Sequence, residues 1–277
     1  MTQDRIETIG HSRIQHGPLS DRVYLMHLGD GDAGAVIDAM QSLARDQGYT
    51  KLFAKIQAKS AAAFTDAGFE TEARIPDFYS DGDAALFVSR FRSEHRRRPG
   101  DAEKIRQVLE TALRRADACI RRPLPEDCAL TRMNPDHAFQ MADLYGRVFE
   151  SYPFPIFDPA YIRRTMEENF RYFGIFRNAR LIALASAERN ESGAEMTDFA
   201  TDPEYRRASL AAHILAAMEA DARQNDVKTA FTIARSVSYG INIMFARGGY
   251  SFAGTLVNNT NISGRVQSMN VWYKPLA

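Results

Sequence analysis

What this chain lacks narrows its function first. Cysteine is scarce: Cys119 and Cys128 are the two present in 277 residues. So few thiols build no disulfide framework and point to a reducing compartment, the cytoplasm. Net charge is absent, because Lys plus Arg and Asp plus Glu number 35 each. No global field therefore draws the chain to nucleic acid or to an acidic membrane. No apolar run approaches the roughly 20 residues of a membrane span, and Met1-Thr2-Gln3-Asp4-Arg5 opens no signal peptide. The six histidines are scattered without metal-ligand spacing, so no metal is expected. What is there is a globular chain, 45% hydrophobic, with enough length for one large or two small domains.

A composition break divides it. Residues 92–100 hold no large apolar side chain and end in Pro99-Gly100, which reads as a linker, with Arg96-Arg97-Arg98 as solvated charges. Ile105, Val108, Leu109, Ala112 and Leu113 then mark a bridging helix from about Asp101 to Cys119. Beyond it, Asn134-Pro135 and Asp158-Pro159 are cap-plus-proline starts of two helices, the first burying Phe139, Ala142, Tyr145 and Phe149. A hairpin turned at Asn178-Ala179, a strand at Glu195, a helix from Leu210 and further strand–helix–strand segments follow. The class is α/β with a mixed sheet, divided as 1–95, a linker and bridging helix over 96–124, and 125–277. The first part reads as a partial copy of the last: Phe64 to Phe69 parallels Phe245 to Tyr250, and Lys51 to Ile56 parallels Lys228 to Ile233.

The sharpest signal lies between Ala194 and Ala222. A strand over Ala194 to Thr201 meets the turn Asp202 to Ser209, and Leu210, Ile214, Leu215 and Met218 recur at helical spacing after it. The helix N-terminus stays open, and its unpaired N–H groups suit a phosphate. This arrangement resembles the GNAT N-acetyltransferases, whose turn reads Arg-Gly-x-Gly-x-Gly/Ala. Arg206 and Ala211 match, whereas Arg207 and Ser209 stand where the first two glycines belong. Glycine lets a backbone approach phosphate closely, but an arginine and a hydroxyl can donate to it instead. Gly29, Gly31 and Gly34 in the first part have no leading arginine, so that part is expected to be structural or substrate-shaping without its own cofactor.

Longer words narrow the resemblance. Ser151 to Ile156, Ala183 to Glu188, Glu195 to Thr201, Phe231 to Arg235, Gly254 to Ile262 and Ser268 to Leu276 look like the β-lysine N6-acetyltransferase family. Ile14 to Pro18 and Gly48 to Lys55 fit it too, so the resemblance spans nearly the whole chain. It implies a GNAT fold in the C-terminal half, a truncated GNAT-like N-terminal half, and acetyl-CoA as co-substrate. The implied reaction acetylates the terminal amine of β-lysine, supplied by a lysine 2,3-aminomutase, to give a compatible solute for osmoprotection.

Residue roles follow from that chemistry. The amine arrives protonated and needs a base; Glu195 is the first choice, at the strand position where GNAT enzymes place one. Asp198 is the second carboxylate, on the opposite face by strand alternation unless the strand is bulged. Backbone N–H groups around Phe199, Ala200 and Thr201 are expected at the acetyl carbonyl, and Arg206, Arg207, Ala208, Ser209, Leu210 and Ala211 at the pyrophosphate. The family's tyrosine near the CoA sulfur falls at Phe245, which leaves Tyr239 as substitute acid. Arg235, Asn258, Asn259 and Asn261 are candidates for the carboxylate and β-ammonium of the substrate. Two alternatives remain open: another amine, such as a polyamine or diamine, and a non-catalytic binding module, suggested by Arg207, Ser209 and Phe245.

Overall fold

The computed structural model describes residues 4–31, 33–117, 123–190 and 193–276. Cys119 and the expected end of the bridging helix lie outside them. The N-terminal part runs β1 (Arg5–Ile9), β2 (Ser12–Gly17), β3 (Arg22–His27), α1 (Ala33–Asp46), β4 (Lys51–Gln57), α2 (Ala61–Asp66), β5 (Glu70–Ile75) and β6 (Ala85–Phe91). Two connecting helices follow, α3 (Glu94–Arg97) and α4 (Ala102–Arg114). The C-terminal part runs β7 (Cys128–Arg132), α5 (Ala138–Val148), α6 (Pro159–Glu168), β8 (Phe170–Arg177), β9 (Arg180–Arg189) and β10 (Gly193–Thr201). It ends with α7 (Leu210–Gln224), β11 (Thr229–Arg235), α8 (Tyr239–Arg247), β12 (Ser251–Ile262) and β13 (Arg265–Pro275).

Local chemistry sets the boundaries. Asn134 accepts from the Asp136 N–H at 3.0 Å, and Asp158 from the Ala160 N–H at 2.8 Å, each with proline at the first position of its helical segment. Asn178 (φ 48°) and Ala179 (φ 61°) are both left-handed, as a two-residue hairpin with right-twisted strands requires. Two readings need correction. Phe139 is exposed beneath Arg163, because α5 turns Ala138, Met141, Ala142 and Tyr145 inward instead. Arg96 is no solvated charge: it is buried, pairs with Asp21 at 3.1 Å and donates to the Ser20 carbonyl at 2.6 Å.

Among the described residues thirteen strands form one sheet, ordered β1-β2-β3-β4-β6-β5-β12-β13-β11-β10-β9-β8-β7. The order β2-β3-β4-β6-β5 is repeated as β9-β10-β11-β13-β12, with a parallel crossover through α1 in one set and α7 in the other. The two sets meet edge to edge at β5 and β12, where Gly254 pairs antiparallel with Ala73. Gly254 has φ +150°, and a Cβ there would fall 2.1 Å from the Glu72 carbonyl oxygen, so glycine permits the join. Glu72 ties the seam by accepting from Lys51 Nζ at 2.8 Å and from the Val257 N–H at 2.6 Å. Beneath it one cluster mixes Phe53, Phe78 and Phe87 with Phe231, Leu256 and Val271. Elsewhere alternate residues split the core: Phe173 and Ile175 of β8 pack with α7, whereas Tyr172 packs with α5 and α6.

Candidate active site

The parallel ladder between β10 and β11 stops at Glu195 opposite Phe231. Beyond it a cavity of about 1380 Å³ opens between the strands, lined by Thr197, Phe199 and Thr201 on one side and Thr232 to Arg235 on the other. One end reaches α7. Asp202 holds the approach, accepting from the Glu204 N–H at 3.1 Å and from Arg180 at 2.8 Å, with Arg147 also bonded to it. Arg206, Arg207, Ser209, Leu210 and Ala211 then line the cavity, while Ala200 and Ala208 pack into the core. Arg207 (φ 71°) and Ser209 (φ 58°) both adopt the left-handed conformation. The backbone thus keeps a glycine shape at the two positions where glycine is missing, at a cost of roughly 1–2 kcal/mol each. Ser209 makes no side-chain capping bond, its carbonyl instead accepting from the Ala212 N–H at 3.0 Å, so its side chain caps none of the first N–H groups of the 15-residue α7, which suits a phosphate.

The other end gathers carboxylates. Register places Glu188 of β9 directly opposite Glu195 of β10. The register shifts between Thr197 and Ala200, where Asp198 is left-handed at φ 57°, and this bulge brings Asp198 to the same cavity as Glu195. Asp198 accepts from Tyr152 Oη at 2.6 Å, from Ser186 Oγ at 2.5 Å and from Thr197 Oγ1 at 3.4 Å. Burial nevertheless holds its carboxyl above the usual range against those bonds. Glu195 is pushed up to about 8, first by burial and then by Glu188, with Lys55 opposing and Asp198 adding. Glu188 is likewise raised by burial, opposed by Lys55 and Arg13. Lys55, its ammonium 5.2 Å from the Phe231 ring centre, is drawn down by burial and held up by Glu195 and Glu188. Tyr24 of β3 also lines the cavity, and burial raises its phenol, Glu195 adding to the effect.

The remaining candidates scatter. Arg235 lines the cavity with Nε donating to Gln267 Oε1 at 3.1 Å and one terminal nitrogen to Ser263 Oγ at 3.2 Å. Asn259 lines it too, and its Oδ1 is buried without a partner. Asn258 lies outside the lining and donates to the Arg96 and Arg98 carbonyls, and Asn261 donates to the Leu19 carbonyl. Tyr239 is 36% exposed, outside the lining, with Lys104 4.3 Å from its ring centre. Phe245 is fully buried, edge to face with Phe199 and Tyr250. Sequence reasoning missed Glu188, Lys55, Tyr24 and Arg22. Glu188 was within reach, since counting across the hairpin that follows Arg189 sets it opposite Glu195.

Comparison with known proteins fits this geometry. The acetyltransferase (GNAT) family model matches residues 139–253. A Methanococcus maripaludis protein described as beta-lysine N(6)-acetyltransferase is 37% identical over 273 residues, covering 98% of each chain. The N-acetyltransferase YodP of Bacillus subtilis is 30% identical over 95% of each chain. A Methanosarcina mazei protein, also described as beta-lysine N(6)-acetyltransferase, is 35% identical over 155 residues, 55% of this chain and 57% of that one. The chain belongs to the GNAT acetyltransferase family, alongside the Methanococcus and Bacillus relatives that it matches over nearly its whole length.

Proposed function

We propose that the chain transfers acetyl from acetyl-CoA to the terminal amine of β-lysine, giving N6-acetyl-β-lysine. The observation that carries this reading is the 37% identity running through both halves that line the cavity. Acetyl-CoA supplies the acetyl group as a thioester. The turn from Arg206 to Ala211 holds its pyrophosphate, and N–H groups of β10 around Phe199 to Thr201 polarise the acetyl carbonyl. Glu188, Glu195 and Asp198 attract the substrate ammonium, whose free pKa is about 10.4. Glu195 takes its proton in its ionised form, and the burial and the neighbouring Glu188 that raise it make it a stronger base. Arg235 and Asn259 face the polar end of the acceptor. Tyr239 contributes least to thiolate departure, because a thiol with a pKa of about 8.5 leaves readily.

Residues 125–277 form the catalytic unit in this reading. Residues 1–95 are a partial GNAT-like copy that shapes the substrate end, and 96–124 connect them. The product is a net-neutral zwitterion that accumulates in the cytoplasm without a counterion, which explains a compatible solute, and a lysine 2,3-aminomutase supplies the amine. Purified protein with acetyl-CoA and β-lysine, α-lysine, spermidine and diamines, followed by thiol release, tests the reading. β-Lysine is expected to turn over fastest. Faster release with another amine removes the substrate assignment, and acetyl-CoA binding without turnover favours a binding module.

A further inference from the structure

Arg22 is a buried cation without an acid. It lies on β3 of the N-terminal part, 4% exposed, and lines the cavity. One terminal nitrogen donates to the Asn259 carbonyl at 2.7 Å and to Thr260 Oγ1 at 3.0 Å, and the other to Gln15 Oε1 at 3.3 Å. All three acceptors are neutral, the guanidinium carbon lies 5.0 Å from the Tyr24 ring centre and 5.5 Å from that of Phe53, and Nε has no hydrogen-bond partner. The other buried cations of this region are neutralised: Lys51 by Glu72 at 2.8 Å and Arg96 by Asp21 at 3.1 Å. Among the described residues no carboxylate pairs with Arg22, and Asp4 acts on it only from longer range. A buried guanidinium left like this is costly unless an anion reaches it. Its neighbour Asn259, 1% exposed, carries the opposite deficit, an Oδ1 without a donor.

An unpaired donor beside an unpaired acceptor matches a carboxylate beside an ammonium, which is the polar end of a β-amino acid. We propose that Arg22 anchors the carboxylate of the acceptor, with Asn259 Oδ1 taking the adjacent β-ammonium. The inference deepens the proposed function and rests on it. It makes Arg22 a specificity-determining residue supplied across the β5–β12 seam. Loss of the carboxylate then costs binding while the reacting amine, at the Glu188–Glu195 end, still finds its base.

The test compares β-lysine with 1,4-diaminopentane, which keeps both amines and lacks the carboxylate, on wild type, Arg22→Gln and Arg22→Lys. Wild type is expected to favour β-lysine, and Arg22→Gln to lose about 10²-fold in kcat/KM for β-lysine, mainly in KM, while the diamine changes little. Arg22→Lys should restore part of the preference, and acetyl-CoA affinity should stay unchanged in both. An equal loss on both acceptors by Arg22→Gln, or a wild type with equal kcat/KM for the two, overturns the anchor. The wild-type comparison decides even if a variant does not fold. A wild type that acetylates other amines but not β-lysine overturns the substrate reading itself, and the anchor with it.

Discussion

The two halves of the sheet share a strand order and differ where a cofactor would sit. In the C-terminal half β10 is nine residues long, breaks its ladder at a bulge and leads through left-handed Arg207 and Ser209 into an open helix end. In the N-terminal half β3 is six residues, and the chain just past it packs against the turn before β2. There the Gly29 N–H donates to Ser12 Oγ at 3.0 Å, and a Cβ on Gly29 would fall 2.5 Å from the His11 backbone. Register sharpens the contrast: Tyr24 faces Phe53 across β3–β4 as Glu195 faces Phe231 across β10–β11. One copy places a phenol where the other places a carboxylate, and both point into one cavity.

The largest effect should come from the position that divides the halves. Glu195→Gln is expected to lower acetyl transfer about 10²- to 10⁴-fold near neutral pH. A base works ionised, so wild-type kcat/KM should climb as pH rises through about 8 and fall below it. The variant should lack that step and recover only as the free amine deprotonates, toward a pKa of about 10.4. An unchanged pH profile would move the base to Asp198. Gly29→Ala comes next, and it acts on stability alone: overpacking against the His11 backbone should cost about 1–3 kcal/mol, read as a lower denaturation midpoint with activity retained. A midpoint equal to wild type would mean that Gly29 does not pack against the His11 backbone. The smallest effect belongs to Arg207→Gly with Ser209→Gly. Relief of two left-handed residues is only partly offset by greater unfolded-chain freedom, so stability should rise by about 1 kcal/mol. Acetyl-CoA affinity, by calorimetry, should rise modestly; a fall would identify Arg207 as a phosphate contact.

Features written into neighbouring residues were readable in the sequence. The α7 turn, the cap-proline starts and the Asn178-Ala179 hairpin each follow from local backbone chemistry. Asp198 was half readable: alternation gives its face correctly only for a straight strand, and the bulge depends on how β9 continues beside it. The three asparagines of β12 look alike in sequence, yet Asn258 bonds to backbone of the connector, Asn261 to backbone of the N-terminal part, and only Asn259 lines the cavity. Tertiary position decides that, and no local pattern encodes it. Arg22, Tyr24 and Lys55 were illegible for the same reason. They lie more than 130 residues from Glu188 and reach it only because β5 docks on β12.

That docking also governs what happens if the chain is cut. Among the described residues the strand ladder at the seam is one pair, Gly254 with Ala73, set beside side-chain bonds such as Glu72 to the Val257 N–H and over a cluster shared by both sides. Severed within the connector, residues 125–277 would carry β12 as a bare strand edge, with Phe231, Leu256 and Val271 stripped of Phe53, Phe78 and Phe87. An unpaired apolar edge is a template for another strand. The C-terminal half by itself should therefore recruit a second copy of itself or precipitate, because in the intact chain β5 covers that edge.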